Sequence, residues 1–181
     1  MLSAKDASSL LAIAREAIVH HLNKQTYRPA PREEKALVQK SGCFVTLKTG
    51  GRLRGCIGSF QTERPLFQEV AAMAVASASK DPRFPPLVAA ELEQTSLEIS
   101  VLSPLEKIED IEQIRVGEHG IYLEKNFSRG VLLPQVATDH HWDRRTFLEQ
   151  TCVKAGLPVD AWQSPDTDIY IFSAQIISEN S

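Results

Sequence analysis

The sequence has few cysteines and carries almost no net charge. Its three cysteines, Cys43, Cys56 and Cys152, form neither a C-x-x-C pair nor an even disulfide framework. We therefore expect a reduced intracellular protein without a structural zinc site. Twenty basic and twenty-three acidic side chains give a formal charge of -3. This balance provides no overall attraction to a polyphosphate chain, so nucleic acid is an unlikely partner.

Long apolar segments are also missing. The most apolar stretch, Val70 to Ala78, is too short and too rich in alanine to span a bilayer. The first residues lack the apolar run of a signal peptide. The sequence therefore predicts a cytoplasmic protein with no membrane partner.

What the chain does have is an ordinary globular composition. Its 181 residues are 43% hydrophobic and 24% charged, which favours a folded protein with a sizeable core. This length suits a single domain over residues 1–181, or two small halves that share a core.

Hydrophobic periodicity and turn residues predict alternating helices and strands. In chain order, the predicted elements are a helix from Ser3 to Asn23, strands Cys43 to Lys48 and Arg52 to Phe60 around Gly50 and Gly51, a helix from Pro65 to Asp81, a strand from Thr95 to Leu102, a short helix around Ile108, Ile111 and Ile114, strands His119 to Lys125 and Gly130 to Val136, a helix from Asp139 to Ala155 and a strand from Asp168 to Ile177. Hairpins make the sheets mainly antiparallel, so the predicted class is α+β.

The order hairpin, helix, strand occurs twice along the chain. Gly55 and Gly130 are separated by about 75 residues, as are Pro65 and His140. We interpret this spacing as an internal β-β-α-β duplication. A cleft between the two halves is then the natural place for a ligand.

The segment LRGCIG places a cysteine between two glycines inside a predicted strand. Glycine weakens strand packing, so its presence indicates a close approach to the backbone. A two-residue turn at Gly50 and Gly51 sets Val45 opposite Cys56 and puts Arg52, Arg54 and Cys56 on one face, with Cys43 as a diagonal neighbour. An arginine beside a thiol favours the thiolate, which predicts a nucleophilic or redox-active Cys56. The alternative is a cysteine that only packs in the core.

Other residues offer weaker signals. His119, at the entry to a strand, is the preferred proton-transfer partner for Cys56, although such a residue is often only structural. Asp81 and Arg83 form a loop after a helix, where Asp81 caps the helix or Arg83 binds an anion. His140 and His141 point about 100° apart on a helix, which disfavours a metal site.

Several motifs together resemble those of the AMMECR1 domain family over nearly the whole chain. These are Leu53-Arg54-Gly55-Cys56-Ile57-Gly58, Asp81-Pro82-Arg83-Phe84-Pro85-Pro86-Leu87, Leu97-Glu98-Ile99-Ser100-Val101-Leu102, His119-Gly120, Leu132-Leu133-Pro134-Gln135-Val136 and Lys154-Ala155-Gly156-Leu157. The resemblance implies an α+β fold with larger and smaller subdomains. It also implies a pathway shared with Memo-like and radical SAM proteins. It implies no reaction, and the need for a cofactor stays open.

Two hypotheses follow from these observations. In the first, the protein is an enzyme that acts on a small polar or anionic substrate. Cys56 and His119 are then catalytic, the substrate is bound by Arg54, Gly55, Gly58, Asp81, Arg83 and Gln135, and N–H groups beside Gly55 or Gly58 stabilise an oxyanion. In the second, the hairpin is a non-catalytic docking surface for a protein, a nucleotide or RNA.

Overall fold

The computed structural model describes residues 2–179. The chain forms two compact units. Unit 1 contains the residues up to Leu102 together with those from Gln175 onward, and unit 2 contains Ser103–Ala174. Both units combine helices with antiparallel strands, which confirms the predicted α+β class. None of the helices within residues 2–179 has the length and apolar character that crossing a membrane requires.

In unit 1, the described residues form three α-helices and three strands, and the end of the last strand of the chain also belongs to this unit. Its elements are α1 (Ala4–Leu22), α2 (Lys35–Val38), β1 (Cys43–Thr49), β2 (Arg52–Ser59), α3 (Leu66–Ser79) and β3 (Thr95–Leu102). Its strands are ordered β2-β1-β3, with the final strand of the chain beside β3. Ser3 and Asp6 cap α1 by exchanging backbone and side-chain hydrogen bonds.

The core of unit 1 lies on one face of this sheet. Apolar side chains of the strands and of the two long helices are buried there. They include Val45 and Leu47 of β1, Leu97 and Ile99 of β3, Leu10 and Ile13 of α1, and Leu66, Val70 and Ala74 of α3. The alternate residues of β1 lie on the opposite face, because neighbouring side chains of a strand point to opposite sides. On that face Lys48 pairs with Glu98 at 2.8 Å.

Unit 2 contains two helices and four strands. They are β4 (Glu106–Ile108), β5 (His119–Lys125), β6 (Ser128–Leu132), α4 (Pro134–Asp139), α5 (Arg144–Lys154) and β7 (Asp168–Ser178). In this unit β7 lies between β4 and β5, and β6 pairs with the other edge of β5. Its core is centred on the buried side chains of Phe147, Leu148, Ile121 and Leu123.

The two units repeat one topology. In each, a hairpin is followed by a helix and a strand, and the first hairpin strand lies in the middle, as β2-β1-β3 and β6-β5-β7. A glycine of the second hairpin strand meets the helix in both. A Cβ on Gly55 would lie 2.3 Å from the carbonyl oxygen of Ser77, and one on Gly130 would lie 2.4 Å from that of Thr151. The predicted β-β-α-β repeat is therefore present in the fold.

Three predicted elements of unit 2 are wrong in type or extent. The segment around Ile108, Ile111 and Ile114 forms β4 and a short 3-10 turn rather than a helix. The second hairpin strand ends at Leu132, because Pro134 starts a helix. The helix predicted from Asp139 to Ala155 is α5, which begins later, at Arg144, because α4 ends at Asp139.

The late start of α5 has a local cause. His141 has φ +55°, a left-handed conformation that a helix cannot continue through. Asp143 then caps the next helix, since its carboxylate accepts a hydrogen bond from the Thr146 N–H at 2.7 Å.

Candidate functional site

The hairpin that carries Cys56 contains a bulge that changes its register. Thr49 faces Arg52, as the two-residue turn predicts, but Leu47 faces Gly55 and Arg54 is the extra residue. Each later pair is shifted by one, so Cys56 faces Thr46 and the predicted pairing with Val45 is wrong. A shift of one residue moves a side chain to the other face of a sheet.

Because of this shift, Cys56 lies on the face opposite the core of unit 1. Cys43 is fully buried on the core side, so the prediction that it shares a face with Cys56 is wrong, as is the prediction for Arg52. Burial raises the pKa of the Cys43 thiol, and it also raises that of Cys152, which is buried in unit 2. Cys56 is partly exposed, and its sulfur accepts a hydrogen bond from the Thr46 hydroxyl at 3.2 Å.

Asp81 and Arg83 hold the backbone of Cys56 from the free side of β2, which is an edge strand. The Asp81 carboxylate accepts the Cys56 N–H at 2.8 Å, and Arg83 donates to the Cys56 carbonyl at 3.2 Å. Arg83 also binds both oxygens of Asp81, through Nε at 2.9 Å and Nη2 at 2.7 Å. We call this pair the Asp–Arg clamp. It satisfies the two backbone groups of Cys56, which face away from β1.

The clamp is sensitive to protonation of Asp81. The hydrogen bonds from Arg83 hold the pKa of this carboxyl well below its usual range, the Cys56 N–H acts in the same direction, and burial opposes them. A carboxylate whose pKa is lowered by folding stabilises the protein above its unfolded pKa of about 4. That contribution is lost as the pH falls towards the native pKa.

We therefore expect Asp81→Asn to flatten the loss of stability in acid. From pH 6 to pH 2, the free energy of unfolding should fall more steeply for the wild type than for Asp81→Asn. The difference between the two slopes should correspond to the binding of up to about one additional proton on unfolding of the wild type. Urea unfolding at successive pH values measures this slope. Asp166→Asn, which changes an exposed carboxylate in unit 2, is the matched control. Equal slopes for Asp81→Asn and the wild type would contradict the role of the clamp.

The close approach predicted at the glycines is present at both positions. At Gly55 the neighbour is helix α3, whose buried Ser77 hydroxyl accepts the Ile57 N–H at 2.8 Å and donates to the Val45 carbonyl at 2.7 Å. At Gly58 the neighbour is the ring of Phe44, which lies within 2.3 Å of a Cβ placed there. Both positions therefore require glycine.

These contacts restrict the predicted oxyanion site. The Cys56 N–H is bound by Asp81 and the Ile57 N–H by Ser77. Two of the N–H groups beside the glycines are thus already engaged and do not face a substrate.

The two arginines near Cys56 differ in what they can bind. The Arg54 side chain is only 13% exposed, and it donates to both oxygens of Glu91 at 2.9 Å and to the Pro85 carbonyl at 2.9 Å. The Arg83 side chain is 55% exposed, and its Nη1 donates no hydrogen bond to the residues that the structure describes. Arg83 is therefore the better group for a bound anion. Substrate binding by Arg54 would require Arg54 to give up its ion pair with Glu91.

The two remaining predicted site residues belong to unit 2. His119 begins β5, and its Nδ1 accepts the backbone N–H of Arg115 at 3.2 Å. It borders a cavity of about 350 Å³ together with Glu112 and Arg115. Gln135 lies in the first turn of α4, where its Oε1 is buried without a hydrogen-bond partner among residues 2–179. The catalytic role of His119 and the binding role of Gln135 stay predictions.

Sequence reasoning missed three residues of this site, namely Thr46, Ser77 and Glu91. Thr46 could have been found only with the correct register. Ser77 and Glu91 act on the hairpin from distant positions in the chain, so nothing in the local pattern points to them.

Comparison with known proteins identifies a family, close relatives and a solved structure that are similar to this chain. A family model described as AMMECR1 matches residues 11–177. Protein MK0488 of Methanopyrus kandleri is 40% identical over 98% of this chain and 90% of its own length. A protein of Methanothermobacter thermautotrophicus is 42% identical over 99% of this chain and 97% of its own. The crystal structure of uncharacterized protein PH0010 from Pyrococcus horikoshii has a TM-score of 0.81 at 40% identity, covering 92% of this chain and 88% of that one.

Proposed function

The chain belongs to the AMMECR1 family, and for this member we propose that Cys56 is the nucleophile of an enzyme acting on a small polar or anionic substrate. The observation that carries the proposal is the setting of the sulfur. Among the three cysteines, Cys56 alone is partly exposed, and its sulfur accepts the Thr46 hydroxyl while its backbone is fixed by the Asp–Arg clamp.

This setting favours thiol chemistry over simple packing. A hydrogen bond donated to the sulfur stabilises a thiolate, and a nearby guanidinium adds positive charge. The hydrogen bond to Asp81 is the largest cause of the raised pKa of Arg83, and the neighbouring Cys56 is a smaller one, which places the guanidinium within electrostatic reach of the sulfur. The free Nη1 of Arg83 then offers a donor for an anionic group of the substrate.

The step that we propose is a nucleophilic displacement. The thiolate donates an electron pair to an electrophilic carbon of the substrate, which forms a sulfur–carbon bond, and the bond from that carbon to its leaving group breaks with its electron pair. A water molecule then attacks the same carbon, and the sulfur–carbon bond breaks with its electron pair, which returns the thiolate and releases the product. The leaving group takes up a proton, and His119 is the proton donor that the sequence predicts. As part of the same proposal, the pathway is one shared with Memo-like and radical SAM proteins.

Selective alkylation tests whether Cys56 is reactive. With iodoacetamide on the native protein, we expect Cys56 to react about a hundredfold faster than the buried Cys43 and Cys152. Thr46→Val should slow Cys56 by about tenfold, because it removes the donor to the sulfur. Peptide mass spectrometry of each cysteine at several times gives the rates.

The controls separate reactivity from general exposure. Arg83→Ala should slow alkylation of Cys56, whereas Arg52→Ala, on the same strand and exposed, should not. If Cys56 stayed as protected as Cys43 until the protein unfolds, the enzyme proposal would be wrong. The glycine-flanked hairpin would then be a docking surface.

A further inference from the structure

A second candidate site lies in unit 1, at a cavity that involves none of the residues around Cys56. Its volume is about 860 Å³, within the range of small-molecule pockets. Its floor is formed by small apolar side chains of α1 and α3, namely Ala17, Ala71, Ala72 and Val75. It is also lined by basic or imidazole side chains, namely His21, Arg28, Arg64 and Lys80. We call it the alanine-floored cavity.

The end of α1 and the segment after it build one wall. Lys24 has φ +57°, which ends the helix and turns the chain back. Tyr27 is then fixed against α1, because its ring packs on His20 at 5.1 Å and its hydroxyl donates to Glu16 at 2.7 Å. Arg28 follows Tyr27 directly and is placed at the cavity by these contacts.

The charged side chains that line the cavity are of one sign. No Asp or Glu lines it among the described residues. Arg28 and Lys80 form no ion pair within 4 Å in the described part of the chain, while Arg64 has one partner, the buried Glu69, at 3.7 Å. Burial, together with Glu16, raises the pKa of Tyr27 to about 12, so this phenol is neutral near pH 7. In a chain with a formal charge of -3, this gathering of cations is a local feature.

We propose that the alanine-floored cavity binds a small organic phosphate. Its phosphate group lies among Arg28, Arg64 and Lys80, since guanidinium and ammonium groups bind phosphate oxygens by charge-assisted hydrogen bonds. Its less polar body lies on the floor, where small side chains leave room between the helices. This site is independent of the thiol chemistry proposed for Cys56.

Amide chemical shifts test the proposal with three probes, AMP, inorganic phosphate and adenosine. In a titration of the ¹⁵N-labelled protein at low salt, AMP should shift amides in residues 20–30 and 64–80. AMP should bind more tightly than phosphate, which lacks the body, and than adenosine, which lacks the charge. If adenosine bound as tightly as AMP, or if the shifts were scattered over the chain, the proposal would be wrong.

Variants assign the binding to the cavity. Arg28→Ala with Lys80→Ala changes two exposed side chains and should weaken AMP by about tenfold or more, whereas the exposed control Arg52→Ala should leave it unchanged. Ala72→Leu fills the floor and should weaken AMP but not phosphate. If Arg52→Ala weakened AMP binding equally, the binding would reflect general charge attraction and the proposed site would be wrong. If Ala72→Leu had no effect on AMP binding, the proposed role of the floor would be wrong.

Discussion

Replacing Gly55 with alanine is expected to lower the free energy of unfolding by about 2–3 kcal/mol. The added Cβ would lie 2.3 Å from the Ser77 carbonyl oxygen, which belongs to the backbone of α3 and has no rotamer with which to move away. Relief requires α3 to shift from β2, and this shift also breaks the hydrogen bonds that the Ser77 hydroxyl makes with both hairpin strands.

Urea denaturation measures this effect, and Gly51→Ala provides the comparison. Gly51 has φ +76° and open space around it, so alanine there incurs only the backbone cost of about 1 kcal/mol. The Gly55 variant should also expose Cys56, which would speed its alkylation. If the loss at Gly55 did not exceed that at Gly51, the helix would not be in tight contact with the strand.

Ser77→Ala is expected to destabilise the protein by about 2–3 kcal/mol. The change is small in volume, but it removes a buried hydroxyl that serves two backbone groups. The Ile57 N–H loses its acceptor and the Val45 carbonyl loses a donor, and a buried polar group without a partner costs about 1–3 kcal/mol. Thermal and urea unfolding measure the loss.

Ser79→Ala is the matched control on the same helix. Its hydroxyl donates only to the Val75 carbonyl within α3, so its removal should change stability by less than about 0.5 kcal/mol. Similar losses at Ser77 and Ser79 would mean that the two backbone groups pair directly without the hydroxyl. Such a result would contradict the bridging role of Ser77.

The sequence predicted those elements of the fold that have strong local patterns. Strand β3 has the predicted bounds Thr95–Leu102, since Leu97 and Ile99 alternate with polar residues and turn signals flank the run. The helix predicted to begin at Asp139 begins instead at Arg144, because His141 is left-handed, and a left-handed residue other than glycine leaves no mark in the sequence. The repeat was visible as a spacing of turn and helix-start residues, and the structure shows the same strand order in both units.

The candidate site was predictable in some of its residues but not in its contacts. The glycines around Cys56 correctly indicated a close approach, and Asp81 and Arg83 do lie beside the hairpin. The bulge at Arg54 was not predictable, because no residue type is specific to it, and one extra residue changed the face of every later side chain. The partner of Arg54, Glu91, is 37 residues away and is brought in by the fold.

The Asp–Arg clamp has a further effect, on solubility. An uncovered edge strand is a template on which a strand of another molecule can pair, which leads to aggregation. Asp81 and Arg83 occupy the outward donor and acceptor in the middle of β2, where an incoming strand would have to bind. The same two side chains that fix the backbone of Cys56 therefore also cover the part of this edge where a strand of another molecule would pair.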